Sequence, residues 1–164
     1  MDYLWTPWRS TYMKKKGEGG RCIFCDAAAS TKDEETLIVH RARLNFVILN
    51  RYPYTSGHLM IAPYQHVSRL QQVDMETVDE MMRLARRSER ILEEIYQPQG
   101  LNIGMNLGEA AGAGIEQHIH LHVLPRWMGD ANFMTSIGHA RIIPEELSVT
   151  FSKLNVAFKQ TEIA

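Results

Sequence analysis

The run His118-Ile119-His120-Leu121-His122-Val123-Leu124 alternates histidine with an aliphatic side chain, and no other feature constrains the chain as tightly. Successive side chains of a β-strand point to opposite faces, so a period of two is a strand period. Ile119, Leu121 and Val123 are therefore expected to face a core. The three imidazoles are expected on the opposite face, about 6.6 Å apart. Nothing in sheet packing calls for imidazole at three alternate positions. Two chemistries fit such a row. One is a multi-histidine metal site. The other is phosphate chemistry, with one imidazole as nucleophile or base and its neighbours orienting it or neutralising charge. The loop ahead of the strand, GEAAGAGI, contains Gly108, Gly112 and Gly114. Without a Cβ at these positions, backbone N–H groups can close around an anion, which favours phosphate.

Other short apolar runs mark further strands at 36–40 (TLIVH), 44–49 (LNFVIL), 58–62 (HLMIA) and 101–107 (LNIGMNL), with the histidine strand at 117–124. Residues 70–96 carry a helical pattern: Val73, Val78, Met81, Met82, Ala85, Leu92 and Ile95 recur at steps of three and four. Glu80 and Arg87 fall off that stripe. Arg83, Arg86, Arg87 and Arg90 alternate with glutamates and read as a solvated face. The methionines read as core filler. Pro98 and Gly100 end the helix. Pro144, Glu145 and Glu146 open a second helix over 144–160, with Leu147, Phe151, Leu154 and Phe158 on one side. Residues 1–20 form an irregular arm that holds Trp5, Trp8 and Tyr12. No repeat or linker interrupts the rest, so the expectation is a single α+β domain over 1–164: an antiparallel sheet of about five strands, one long helix and a C-terminal helix.

The composition, 45% hydrophobic and 23% charged, is that of a globular chain. A net charge of -1 argues against gripping nucleic-acid phosphates. No apolar run is long enough to span a bilayer. The N-terminus lacks a signal-peptide h-region, so a cytoplasmic location is expected. In that compartment the only two cysteines, Cys22 and Cys25, form a C-x-x-C pair better suited to a metal or redox role than to a structural disulfide. Zinc would need two more ligands, and a plain reduced thiol pair is the alternative.

H-I-H-L-H-V-L resembles the signature of the histidine-triad (HIT) family. The similarity extends through WTPWR, CIFC, NRYPYTSGHLM, PYQHV, NLGEAAGAG and HVLPRWMGDANF. The last two blocks look most like the bacterial branch that includes diadenosine tetraphosphate phosphorylases, and also resemble the diadenosine polyphosphate hydrolases. The resemblance implies a HIT-like fold and a covalent mechanism on the α-phosphate of a dinucleoside polyphosphate. His120 would be the nucleophile, the His118 carbonyl would orient it, and His122 would donate to the phosphate. Asn106, the loop with Gly112 and Gly114, Asn50, His58 and Trp127 would contact substrate. Ile115, preceded by Gly114, stands where many family members carry Ser or Thr to assist the leaving group.

The same resemblance supplies His66 and His118 as the further ligands of a structural zinc held by Cys22 and Cys25. It implies an adenine nucleotide as substrate, water or inorganic phosphate as acceptor, no organic cofactor and a homodimer. A nucleoside phosphoramidate hydrolase and a non-catalytic nucleotide-binding protein are the alternatives. His40 and His139 match no motif and are expected at the surface.

Overall fold

The five apolar runs pair into one antiparallel sheet in the order β1-β2-β3-β5-β4. In this computed structural model, which describes residues 21–132, 135 and 143–161, the strands are β1 (Ile38–Arg41), β2 (Asn45–Leu49), β3 (Leu59–Pro63), β4 (Gly100–Gly104) and β5 (Leu121–Arg126). The expected arm at 1–20 and His139 lie outside those residues. Helices α1 (Ile23–Ala29) and α2 (Asp33–Thr36) precede the sheet, α3 (Met75–Tyr96) links β3 to β4, and α4 (Leu147–Gln160) follows β5. The fold is the α+β architecture expected.

β2 and β3 are buried along their whole length because both faces of the sheet are covered. On one face α3 packs against β2, β3 and β5. Its Met81, Leu84, Ala85, Ile91 and Leu92 join a core with Val47, Ile61, Leu121 and Val123. On the other, Phe24 of α1 reaches Phe46, with ring centroids 6.4 Å apart. α4 packs on β1 and α3 through Phe151, Leu154 and Phe158. Burying these apolar side chains supplies the main driving force for folding.

Helix α3 is shorter than expected. A separate 3-10 turn, Leu70–Gln72, precedes it, and Asp74 caps it by accepting from Thr77 N at 2.8 Å. Several assignments along it change. Met75 and Met82, read as core filler, are exposed, whereas Arg87, expected on the solvated face, is buried. The Arg87 guanidinium donates to the Phe158 and Thr161 carbonyls at the end of α4 and lies 3.1 Å from His40 Nε2. It thus supplies the donors that a helix C-terminus lacks. His40 is not a free surface residue either: it stacks on Phe158 at 5.3 Å. Glu80 also turns inward, accepting from the backbone N–H groups of Arg43, Leu44 and Asn45 where β2 begins.

The chain enters β3 through a tight turn at Gly57, whose φ is +77°. A Cβ there would lie 3.0 Å from Leu92 Cδ2 and 3.0 Å from Tyr96 Cε2. Gly57→Ala is therefore expected to destabilise the fold by about 1–3 kcal/mol through positive-φ strain and overpacking. Thermal unfolding checks it. At roughly 2–4 °C per kcal/mol for a chain of this size, a drop of several degrees is expected.

Candidate active site and metal centre

The histidine run does not begin inside the strand. His118, Ile119 and His120 form a lead-in, and β5 starts at Leu121. The lead-in is nevertheless held in place, because Ile119 N donates at 2.8 Å to the carbonyl of Val67, in the loop that follows β3. Alternation places the imidazoles together, with the His120 and His122 ring centroids 4.8 Å apart. Their face is not open, however. His118 is 0% and His120 5% exposed, because Phe24 roofs both rings.

Each imidazole has a hydrogen-bond partner that fixes its tautomer. A carbonyl only accepts, so His118 Nε2–H donates to Pro63 O at 2.9 Å, leaving Nδ1 with a lone pair. Likewise His120 Nδ1–H donates to His118 O at 2.9 Å, leaving Nε2 unprotonated. The His58 ring is set from the other side: Tyr54 N donates to its Nδ1 at 3.2 Å, and Asn50 Nδ2 lies 3.3 Å from the same atom. The proton of His58 is therefore on Nε2, which donates to His122 Nδ1 at 2.9 Å. His122 Nε2 is left as an N–H donor. Asn50 and His58 are thus linked to His122 by a chain of hydrogen bonds, a connection the spacing of residues alone did not reveal.

Burial pushes the pKa of all three triad histidines below the ordinary imidazole value. For His122 burial, followed by the neighbouring His120, brings it to about 4. The site is thus a row of neutral imidazoles at neutral pH, suited to nucleophilic and hydrogen-bonding roles.

The other expected contacts are placed as follows. Asn106 lies just past β4, two residues beyond Gly104, the partner of His122 in the sheet. Gly112 has φ +86° and closes a 3-10 turn. The N–H groups of Ala111 and Ala113 go to Gly108 O, and that of Gly112 goes to Glu109 O at 2.8 Å. Those three amides are spent within the loop, which narrows the expected backbone cradle to its flanks, where Gly114 lies. Trp127 follows β5 in a turn closed by Asp130 N donating to Trp127 O, and Asp130 also pairs with Arg126.

The cysteine pair meets the triad at His118. Sγ of Cys22 and of Cys25 and Nδ1 of His66 and His118 all lie within 4.8 Å of one another. Cys22 Sγ–His118 Nδ1 is 3.3 Å, Cys25 Sγ–His66 Nδ1 3.3 Å and His66 Nδ1–His118 Nδ1 3.3 Å. A tetrahedral zinc with ordinary bond lengths requires N–N near ~3.3 Å and S–N near ~3.6 Å. The donor set therefore fits zinc in both type and spacing.

The family model for the HIT domain matches residues 31–128. The chain belongs to the HIT domain family. It is 39% identical over 158 residues to a Mycobacterium tuberculosis protein named AP-4-A phosphorylase, covering 92% of this chain and 80% of that one. It is 26% identical over 93 residues to the asymmetrical bis(5'-nucleosyl)-tetraphosphatase of Schizosaccharomyces pombe, 57% of this chain and 50% of that one. Among solved structures, a Zn-bound histidine triad family protein from Mycobacterium smegmatis superposes with a TM-score of 0.66 at 30% identity, over 85% of this chain and 94% of that one.

The depressed His122 pKa has a consequence for stability. Its unfolded value, about 6.5, lies above its folded value of about 4. Between these, the unfolded chain binds more protons, so stability is present above pH 6.5 and is lost as pH falls towards 4. The contribution is at most on the order of 3 kcal/mol, less what solvent screening removes. Denaturant titrations of the wild type and His122→Asn over that window should show a shallower pH slope in the variant. Equal slopes contradict the assignment.

Proposed function

We propose that the chain is a nucleotidyl-transferring enzyme of the HIT family that acts on the α-phosphate of a dinucleoside polyphosphate such as diadenosine tetraphosphate. The observation that carries this reading is the His120 Nδ1–H···O=C His118 bond at 2.9 Å, which leaves Nε2 as a lone pair on a buried neutral ring. That nitrogen attacks the α-phosphorus. A P–N bond forms, the P–O bond to the nucleoside polyphosphate breaks, and the leaving nucleotide takes the electron pair. The His118 carbonyl stabilises the positive charge that develops on the His120 ring, while His122 Nε2–H and Asn106 donate to the equatorial oxygens. Inorganic phosphate or water then attacks the same phosphorus in the nucleotidyl-histidine: a new P–O bond forms, the P–N bond breaks with its electron pair returning to His120 Nε2, and a water acceptor releases its proton to solvent. The name of the Mycobacterium tuberculosis relative supports phosphate as the acceptor.

The test is product analysis with diadenosine tetraphosphate, with and without inorganic phosphate. ADP and ATP formed only with phosphate, together with a trapped AMP adduct on His120, are the expected result. AMP and ATP without phosphate make water the acceptor. His120→Ala is expected to lower turnover by about 10³-fold or more while nucleotide binding survives. If neither wild-type products nor adduct appear while nucleotides bind, the chain is a binding protein.

Zinc bound by Cys22, Cys25, His66 and His118 would be structural, stiffening the segment beside the nucleophile. The likeness to a Zn-bound family member and the spacing of the four donors support this. Elemental analysis should find about one zinc per chain in the wild type. Cys25→Ala, which leaves three ligands, should lose the metal and unfold at a lower temperature. Absence of zinc from the wild type purified without chelator overturns the assignment.

A homodimer joined along β4 is the proposed assembly. That strand is at the sheet edge, with nearly every residue exposed, and Ile103 is 43% exposed.

A further inference from the structure

Phe24 lies between the two cysteines, and neither the histidine pattern nor the metal set accounts for it. It is 0% exposed. Its ring centroid is 4.8 Å from that of His120 and 5.1 Å from that of His118, at interplanar angles of 39° and 48°. The His118 carbonyl holds the Nδ1 edge of His120. One hydrogen bond in the ring plane still allows the imidazole to rock about its Cβ–Cγ bond. A rigid apolar ring packed against it removes that freedom.

The segment bearing Phe24 is fixed at both ends. Cys22 and Cys25 flank it and point to His118 and His66. At the far end of α1, the Arg41 guanidinium takes up the Ala27, Ala28 and Ser30 carbonyls and pairs with Asp33. α1 has only two turns and makes no large core contribution besides Phe24 and Ala27. Anchoring so short a helix at both ends has the consequence of placing one side chain.

We propose that Phe24 is a positioning residue for His120: clamped between the cysteines and Arg41, its ring fixes the imidazole plane so that Nε2 is presented to the α-phosphorus. The proposal rests on His120 being the nucleophile. A loss of alignment of about 1 Å costs up to about 100-fold in rate with little change in ground-state binding. The effect therefore falls on kcat rather than KM.

Phe24→Leu tests this, with Phe158→Leu as control. Phe158 is 1% exposed and stacks on His40, away from the triad. Both variants lose a buried ring of the same size, so a merely structural role would weaken both alike. In Phe24→Leu, kcat on diadenosine tetraphosphate is expected to fall tenfold or more, with KM within about twofold and zinc content unchanged. Phe158→Leu should keep kcat within about twofold at temperatures where it is folded.

A second readout does not depend on activity. In ¹⁵N spectra of the side chains, at one pH where the ring is neutral, wild-type His120 should show the Nδ1–H tautomer alone. Phe24→Leu should show a mixture. Equal kcat losses in the two variants, or an unchanged tautomer ratio in Phe24→Leu, overturn the proposal. If His120→Ala retains turnover, the nucleophile reading fails instead, and the tautomer measurement still decides whether Phe24 positions the ring.

Discussion

The hydrogen bond from His120 Nδ1 to the His118 carbonyl, 2.9 Å long, is the contact on which the site depends. Imidazole has two nearly equivalent tautomers in water, and only one leaves Nε2 free. A backbone carbonyl two residues away selects it, but only if that carbonyl is itself stationary. His118 is fixed by Ile119 N on Val67 O, by its own Nε2–H on Pro63 O, and by the placement of its Nδ1 among two thiols and His66. One residue thus ties together the end of β3, the four-donor cluster and the ring of His120. A metal at the cluster would act on His120 through this residue alone.

The same logic extends to the second half of the site. The Tyr54 amide and Asn50 fill the acceptor side of His58, the His58 Nε2–H donates a hydrogen bond to the acceptor nitrogen of His122, and His122 is left with a donor. Two imidazoles side by side could otherwise exchange roles. The backbone amide at one end removes that ambiguity, since an N–H has no other role to play. Burial reinforces the outcome, because it keeps the rings neutral, and a protonated row would have neither a nucleophile nor a defined donor pattern. Polar groups buried this way are costly unless fully paired, and nearly every ring nitrogen has a partner apart from those aimed at the site.

Much of this was legible in the sequence. Period-two alternation located the triad, the apolar runs located all five strands to within a few residues, and CIFC pointed to a metal ligand pair. The residues that were misread share a physical cause. Arg87 falls off the apolar stripe of α3 and is charged, so periodicity assigns it to solvent. It is buried because the C-terminal carbonyls of α4, remote in sequence, need donors. His40 follows it inside, by stacking on Phe158 of the same helix. The glycines of the 108–115 loop indicated a tight backbone correctly, but not that three of its amides would satisfy its own carbonyls. Which donors remain is decided by the turn type, and local composition does not specify it.

That last point bears on how charge is handled in the proposed reaction. With the amides of Ala111, Gly112 and Ala113 turned inward, the negative charge that would develop on the α-phosphate is left to side-chain donors and to the amides at the flanks of the loop. His122 Nε2–H and Asn106 are the side-chain donors proposed for it: the His122 ring lies 4.8 Å from that of His120, and Asn106 follows Gly104, the partner of His122. His122, on β5, is held by the ladder itself, and so needs no rearrangement when charge develops. A loop built from glycines would have to be ordered by the substrate first, at an entropic cost. The internal turn at 109–111 removes that cost in advance, because the loop is already closed on itself before any substrate arrives.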